Sequence, residues 1–230
     1  MPNLVLLIGC FLLGVLMRRL GRLPDSTPAV LNAFVINVSL PALTLLYVHE
    51  LPLDSSLAYP TAMAWVLFGL GFVFFVALGR AAGWPRATVG GLILVGSLAN
   101  ISFLGLPMIE AFYGEQHLGL GILIDQLGTY MVLSTLGILI AVTYAAGDAS
   151  PGAIARRILK FPPFQAVLLA LALKPLAYPE GLELVLGKLG ATLAPLALVS
   201  VGYQLRLAEL RGRLAALSAG LAFKLVMGPR

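Results

Sequence analysis

Apolar residues occur along the chain in long runs separated by short polar connections. Eight runs fall at residues 4–19, 29–48, 58–79, 87–113, 118–146, 162–177, 183–203 and 213–228. Their lengths are close to the roughly 17–25 residues that cross a hydrocarbon core of about 30 Å, so each run predicts a transmembrane helix. We therefore expect an all-α integral membrane protein with about eight transmembrane segments and no soluble domain.

Composition and charge agree with this pattern. Of 230 residues, 60% are hydrophobic and 11% are charged, whereas soluble domains are about 25% charged. The formal net charge of +5 would suggest a nucleic-acid partner in a soluble protein. Here, the basic residues follow alternate apolar runs, at Arg18, Arg19, Arg22, Arg80, Arg86, Arg156, Arg157, Lys160, Arg206, Arg211 and Arg213. The positive-inside rule makes these connections cytoplasmic and the N-terminus external, with no nucleic-acid partner expected.

The first run has no basic residue before it, so it predicts a spanning helix and not a cleaved signal peptide. Cys10 is the only cysteine, which excludes an intramolecular disulfide and a cysteine-based metal site. His49 and His117 lie in external connections without companions at ligand spacing. We expect both to be solvated, and no metal is expected.

The run at 87–113 contains a cluster of polar and helix-breaking residues near its centre: Ser97, Asn100, Ser102, Gly105 and Pro107. Pro107 has no amide hydrogen for the carbonyl of Phe103, which predicts a helix break around Gly105 and Pro107. Opened backbone followed by a new helix N-terminus suits an anionic substrate. The alternative is a proline-kinked helix in which Asn100 and the serines make interhelical hydrogen bonds.

The run at 118–146 carries Asp125 and Gln126, and a carboxylate within an apolar helix is usually functional. Asp125 would handle a proton or a cation, unless it lies near enough to the outer interface to be hydrated or forms a structural pair. Lys224, in the run at 213–228, is the best partner for Asp125. Lys224 could instead meet an anionic substrate or reach the interface by snorkelling.

Two prolines suggest an internal repeat. Pro41 lies inside the second run and Pro195 inside the seventh, and we expect each to kink its helix. Aligning them places LPALTLLYVHEL on APLALVSVGYQL, which gives a repeat unit of five segments with inverted orientation. The predicted organisation is a first repeat at 1–146, a cytoplasmic linker with an amphipathic helix at 147–161, and a partial second repeat at 162–230.

Four motifs, LNAFVINVSLPALTL, LANISFLGLPMIEAFYG, LIDQLG and APLALVSVGYQL, resemble the auxin efflux carrier family, bacterial membrane transporters related to the plant PIN-type carriers. This resemblance implies a ten-helix fold of two inverted five-helix repeats, similar in outline to bile-acid and sodium–proton transporters. Segments one, two, six and seven would form a scaffold, often dimeric. The remaining segments would form a mobile domain whose two broken helices cross at the substrate site.

The resemblance implies a secondary transporter of the inner membrane that moves small organic anions, such as carboxylates or auxin-like acids, by alternating access. Asn100, Ser102, Gly105 and Pro107 would bind substrate, and Asp125 with Gln126 would couple a proton or sodium ion or lock the site through Lys224. No cofactor is expected, and no catalytic set indicates an enzyme. Measured against ten helices, the last two are missing after Arg230. A truncated, non-transporting module that dimerises or binds a partner is therefore the alternative.

Overall fold

The computed structural model describes residues 2–52, 57–144, 150–206 and 214–227, and the regular structure of these residues is entirely helical. Within these described residues, five helices are long and apolar enough to cross a membrane: Thr27–Glu50, Ala58–Ala81, Arg86–Tyr113, Glu115–Tyr144 and Glu180–Gln204. This confirms the expected all-α membrane architecture. The count of eight segments and the inverted repeat remain predictions.

We number the helices in chain order and separate those that an irregular stretch interrupts. They are α1 (Pro2–Arg19), α2 (Thr27–Glu50), α3 (Ala58–Ala81), α4 (Arg86–Ser97), α5 (Leu106–Tyr113), α6 (Glu115–Tyr144), α7 (Pro151–Leu159), α8 (Pro162–Leu173), α9 (Glu180–Gly190), α10 (Leu193–Gln204) and α11 (Leu214–Met227). The short helix expected between residues 147 and 161 is α7.

The chain divides into two compact units. The first comprises Met1–Leu53, Asn100–Leu123 and Lys160–Arg206, and the second comprises Asp54–Ala99, Ile124–Leu159 and Leu207–Arg230. The first unit holds the helices predicted for the scaffold together with α5 and the beginning of α6. The second holds α3, α4, the remainder of α6, α7 and α11. The chain passes from one unit to the other after Ala99 and again after Leu123.

Glycines bring α1 and α10 close together in the first unit. A methyl group on Gly14 would overlap the backbone of Val199 and Tyr203, and one on Gly202 would overlap the carbonyl of Phe11. Small residues at a helix crossing let the two backbones approach, which is the main source of packing energy between helices in lipid. These glycines therefore fix the pairing of the first helix with α10.

The two proline-containing segments each have an irregular stretch, and the two stretches contact each other. In α2 a π-helical turn, Val35–Ser39, directly precedes Pro41. Within the span Glu180–Gln204 the helix is interrupted between α9 and α10, and Pro195 lies in the first turn of α10, where its missing amide hydrogen costs little. The predicted kink at Pro195 stays a prediction. The hydroxyls of Ser39 and Thr192 are hydrogen-bonded at 2.7 Å, so the two irregular points are joined directly.

Polar contacts also fix the connection after α8. Lys174 donates from Nζ to the backbone carbonyls of His49, at 2.9 Å, and Leu51, at 2.5 Å. His49 stacks on Tyr178 with ring centroids 3.9 Å apart, and its Nε2 lies 2.9 Å from the carbonyl oxygen of Leu176. The expectation that His49 is solvated was therefore wrong, because its ring contacts Tyr178 and Leu176 in the connection after α8.

The second unit has an aromatic core. Phe75 of α3 and Phe223 of α11 pack with ring centroids 5.3 Å apart, and Ile93 of α4 is fully buried in the same cluster. Gly96 of α4 faces the ring of Phe75 so closely that an added methyl group would lie 2.5 Å from it. The C-terminal end of α4 is consequently held firmly against α3.

Candidate functional site

The predicted helix break exists, but it lies earlier than expected. Helix α4 ends at Ser97, and Leu98 is extended with φ −101° and ψ 144°. Asn100 has φ −88° and ψ 78°, and a π-helical turn, Ile101–Gly105, then leads into α5. The opened backbone is therefore Leu98–Asn100, and the expectation of a break at Gly105 and Pro107 was wrong.

The π-helical turn explains why Pro107 does not break the chain. In this turn the amide of Leu106 donates to the carbonyl of Ile101, one residue further back than in an α-helix. Pro107 follows as one of the first residues of α5, where an amide hydrogen is least needed. The widened turn thus shifts the hydrogen-bond register so that the proline starts a helix instead of interrupting one.

Asn100 organises the start of the new helical segment. Its side-chain Oδ1 accepts a hydrogen bond from the amide of Phe103 at 3.3 Å, and its carbonyl accepts from the amides of Leu104 and Gly105 at 3.2 and 3.0 Å. Asparagine is a preferred residue at such a position because its oxygen satisfies an otherwise unpaired amide. The cap uses Oδ1 and leaves the Nδ2 donor outside it, on a residue that is exposed.

The other predicted substrate residues of this stretch also lie in the first unit. Ser102 and Gly105 are half-buried within the π-helical turn, and Pro107 is buried at the start of α5. Helix α10 packs against this turn. Gly121 of α6 packs against the side chain of Leu106, which an added methyl group would approach to 3.0 Å. The turn is therefore supported from two sides within its own unit.

Ser97, the last residue of α4, was not among the predicted site residues. It is 7% exposed, and its hydroxyl is buried without a hydrogen-bond partner among the described residues. Gly71 of α3 makes room for this side chain, because a methyl group there would overlap the hydroxyl. An unpaired buried hydroxyl next to an opened backbone is a candidate ligand-binding group. Its position just before the break is the sequence signal that could have identified it.

Asp125 and Gln126 are buried in the second unit, with 4% and 0% of their surfaces exposed. They lie in a π-helical stretch of α6, Ile124–Tyr130. Nε2 of Gln126 donates to Oδ2 of Asp125 at 3.0 Å, while Oε1 of Gln126 is buried and has no hydrogen-bond partner in the described part of the chain. This burial removes the alternative of a hydrated, interfacial carboxylate. A carboxylate beside an unused amide oxygen can hold a proton or a small cation.

Helix α3 supports this stretch of α6. Gly128 lies so close to α3 that an added methyl group would stand 2.9 Å from the side chain of Ala64 and 3.1 Å from the carbonyl of Thr61. The indole of Trp65 donates from Nε1 to the carbonyl of Leu127 at 3.2 Å. A backbone carbonyl of the π-helical stretch therefore accepts a hydrogen bond from a side chain on another helix, as expected where the regular i→i−4 hydrogen bonds are disturbed.

Lys224 lies on α11 in the second unit, and its side chain is exposed. The pairing of Lys224 with Asp125 remains a prediction. The predicted site residues are thus divided: the substrate-binding candidates belong to the first unit, and Asp125, Gln126 and Lys224 belong to the second. Hydrogen bonding brings Asp125 and Gln126 together directly.

Comparison with known proteins places this architecture in a family. Residues 1–230 match the membrane transport protein family. An uncharacterized transporter of Methanothermobacter thermautotrophicus is 29% identical over 221 residues, which cover 95% of this chain and 72% of the relative. An uncharacterized transporter of Methanocaldococcus jannaschii is 26% identical over 204 residues, which cover 84% of this chain and 65% of the relative.

The family match spans the whole chain, and the helices are those of a multi-pass membrane protein. Transporters of this kind move their substrates without converting them, so the family is not one of enzymes. The chain belongs to the membrane transport protein family, the family of the auxin efflux carriers that its motifs resemble.

Proposed function

We propose that this protein is a secondary transporter of small organic anions, such as carboxylates, and that it binds them at the break in the fourth predicted segment. The observation that carries the proposal is the opened backbone at Leu98–Asn100, followed by a helical turn that Asn100 caps. Backbone that leaves the helix at membrane depth is tolerated only where it is buried in protein or lines a polar cavity. A transporter needs such a cavity for a charged substrate.

Substrate recognition would use donors of the first unit. The first amides of a helical segment have no acceptor within it, and they point towards the positive end of its dipole. Nδ2 of Asn100 adds a side-chain donor to this end of the segment, and Ser102 lies beside it in the π-helical turn. Gly105 and Pro107 contribute by shaping the π-helical turn. A carboxylate, which only accepts hydrogen bonds, is the substrate group that this set of donors fits.

Ion coupling would use Asp125 and Gln126. Oε1 of Gln126 is buried and unused, so a bound sodium ion or a proton on Asp125 would give it a partner. Alternating access then requires hinges. Two irregular stretches, Leu98–Asn100 and the start of Ile124–Tyr130, lie at two of the points where the chain passes between the units, and we assign the hinges to them. Lys224 would neutralise Asp125 in one of the two states.

Uptake by reconstituted protein tests this proposal. The parent protein in liposomes should accumulate at least one small carboxylate from a panel when a proton or sodium gradient is imposed. Asn100→Ala and Asp125→Asn should each abolish the gradient-driven part. Asn37→Ala is the matched control, because Asn37 lies on α2 and donates within its own helix, to the carbonyl of Ala33. Unchanged uptake in both site variants would contradict the site assignment.

A further inference from the structure

A cavity lies in the second unit, lined by residues that do not belong to the proposed substrate site. It has a volume of about 460 Å³ and is bounded by the end of α3, the start of α4 and the end of α6. Its lining includes two arginines, Arg80 and Arg86, and two aromatic residues, Trp84 and Tyr144. The proposed transport mechanism does not use any of these residues.

Close contacts hold the turn that separates the two arginines. Gly83 adopts φ +63°, a conformation that favours glycine, and the amide of Trp84 donates to the carbonyl of Gly79 at 2.9 Å. Gly79 packs directly against Val89 of α4, where a methyl group would overlap the valine side chain. The end of α3 and the start of α4 are therefore held at a fixed spacing, with one arginine on each side of the turn.

Arg86 is also oriented by its neighbours on α6. It donates from a guanidinium nitrogen to the carbonyl of Thr143 at 3.1 Å, and its guanidinium carbon lies 5.7 Å from the ring centre of Tyr144. A guanidinium has five donors in a planar fork, so one bond to Thr143 leaves most of the fork available. Among the described residues of the second unit, Asp125 is the only acidic one, and it does not line this cavity.

The position along the chain indicates the source of the anion. The charge pattern predicts that the connection between α3 and α4 is cytoplasmic, and the cytoplasmic leaflet carries anionic lipids. Trp84 and Tyr144 are residues typical of the membrane interface. Val76 lines the cavity one helical turn before Arg80, and Val73, 66% exposed, continues the same face towards the hydrocarbon. The surface therefore changes from basic at the arginines to apolar at the valines, which matches the order of the phosphate and the acyl chain in a phospholipid.

We propose that this cavity binds the phosphate of an anionic phospholipid, such as phosphatidylglycerol, from the cytoplasmic leaflet. The two arginines hold the phosphate by charge-assisted hydrogen bonds. Trp84 and Tyr144 flank the glycerol region, and Val76 and Val73 contact the acyl chain. The lipid would anchor one face of the second unit to the membrane.

Tryptophan quenching in liposomes tests the proposal. The chain has two tryptophans, so Trp65→Phe leaves Trp84, at the cavity, as the only reporter. Phosphatidylglycerol brominated near the head of its acyl chain should quench Trp84 more than brominated phosphatidylcholine at the same mole fraction. Two arginines near a membrane surface predict a preference of roughly 30-fold. Equal quenching by the two lipids would overturn the proposal.

Matched variants identify the residues responsible. Arg80→Gln with Arg86→Gln should remove the preference, whereas Arg19→Gln with Arg22→Gln removes the same charge from another predicted cytoplasmic connection and should preserve it. If the double cavity variant does not fold, Arg80→Gln alone leaves the Arg86–Thr143 bond intact and should lower the preference roughly fivefold. Equal loss in cavity and control variants would contradict the proposal.

A competition arm distinguishes the lipid from a soluble anion. Glycerol phosphate at millimolar concentration should leave the quenching by brominated phosphatidylglycerol unchanged, because it lacks the acyl chain that contacts Val76 and Val73. Displacement by glycerol phosphate or by inorganic phosphate would assign the arginines to a soluble anion and overturn the lipid proposal.

Discussion

Substitutions of Asn100 separate its capping role from its proposed role in substrate binding. In the structure the cap is a bond from the amide of Phe103 to Oδ1 at 3.3 Å, which is slightly longer than a typical N–H···O bond. Replacing a capping asparagine by alanine typically costs about 1 kcal/mol. We therefore expect Asn100→Ala to destabilise the purified protein by about this amount, which is roughly fivefold in the folding equilibrium constant.

Asn100→Ser is the informative counterpart. Serine caps helices about as well as asparagine, so the melting temperature in detergent should remain near that of the parent. The variant nevertheless lacks the Nδ2 donor that we assign to the anion. Carboxylate uptake in proteoliposomes should consequently be lost in both variants, with only Asn100→Ala losing stability. Normal uptake by Asn100→Ser would refute the substrate role and leave Asn100 as a cap alone.

Three further predictions concern packing and buried polar groups. Gly14→Val should prevent the close approach of α1 to α10 and lower the free energy of unfolding by about 1–3 kcal/mol or more through overpacking, which lowers the melting temperature. Gly9 has open space around it, so Gly9→Val should leave the melting temperature unchanged. Lys174→Met removes two charge-assisted hydrogen bonds to backbone carbonyls and should destabilise by about 1.5–3 kcal/mol, unlike Lys188→Met on an exposed surface. Ser97→Ala should raise the melting temperature, because it removes a buried unpaired hydroxyl; a lower melting temperature would show that this hydroxyl has a partner.

The apolar runs predicted the helices, because the length of a membrane helix is set by the bilayer and is read directly from the sequence. The existence of the break was also predictable, since Asn100, Gly105 and Pro107 together disfavour a regular helix. Its position was not predictable, because the sequence does not show whether Pro107 interrupts an α-helix or begins one. The structure instead changes register one turn earlier, through the bond from Leu106 to Ile101.

The sequence left open whether Asp125 is buried or hydrated at the interface, and the structure buries it. The role of Gln126 did not, because its single bond to Asp125 and its unused oxygen depend on the π-helical backbone. The same limit applies to Ser97, whose buried hydroxyl results from the approach of Gly71 on another helix. Such features depend on distances between helices, and a one-dimensional pattern of polar and apolar residues does not contain them.

Cysteine accessibility tests most directly whether the break lines a cavity that opens alternately to the two sides. Cys10 is the only cysteine, so Cys10→Ser provides a background in which Ser102→Cys is the only thiol. The proposal predicts that membrane-impermeant thiol reagents label this position when applied from either side of proteoliposomes, and that a transported carboxylate slows the labelling. Labelling from neither side would contradict the proposal, as would labelling from one side only.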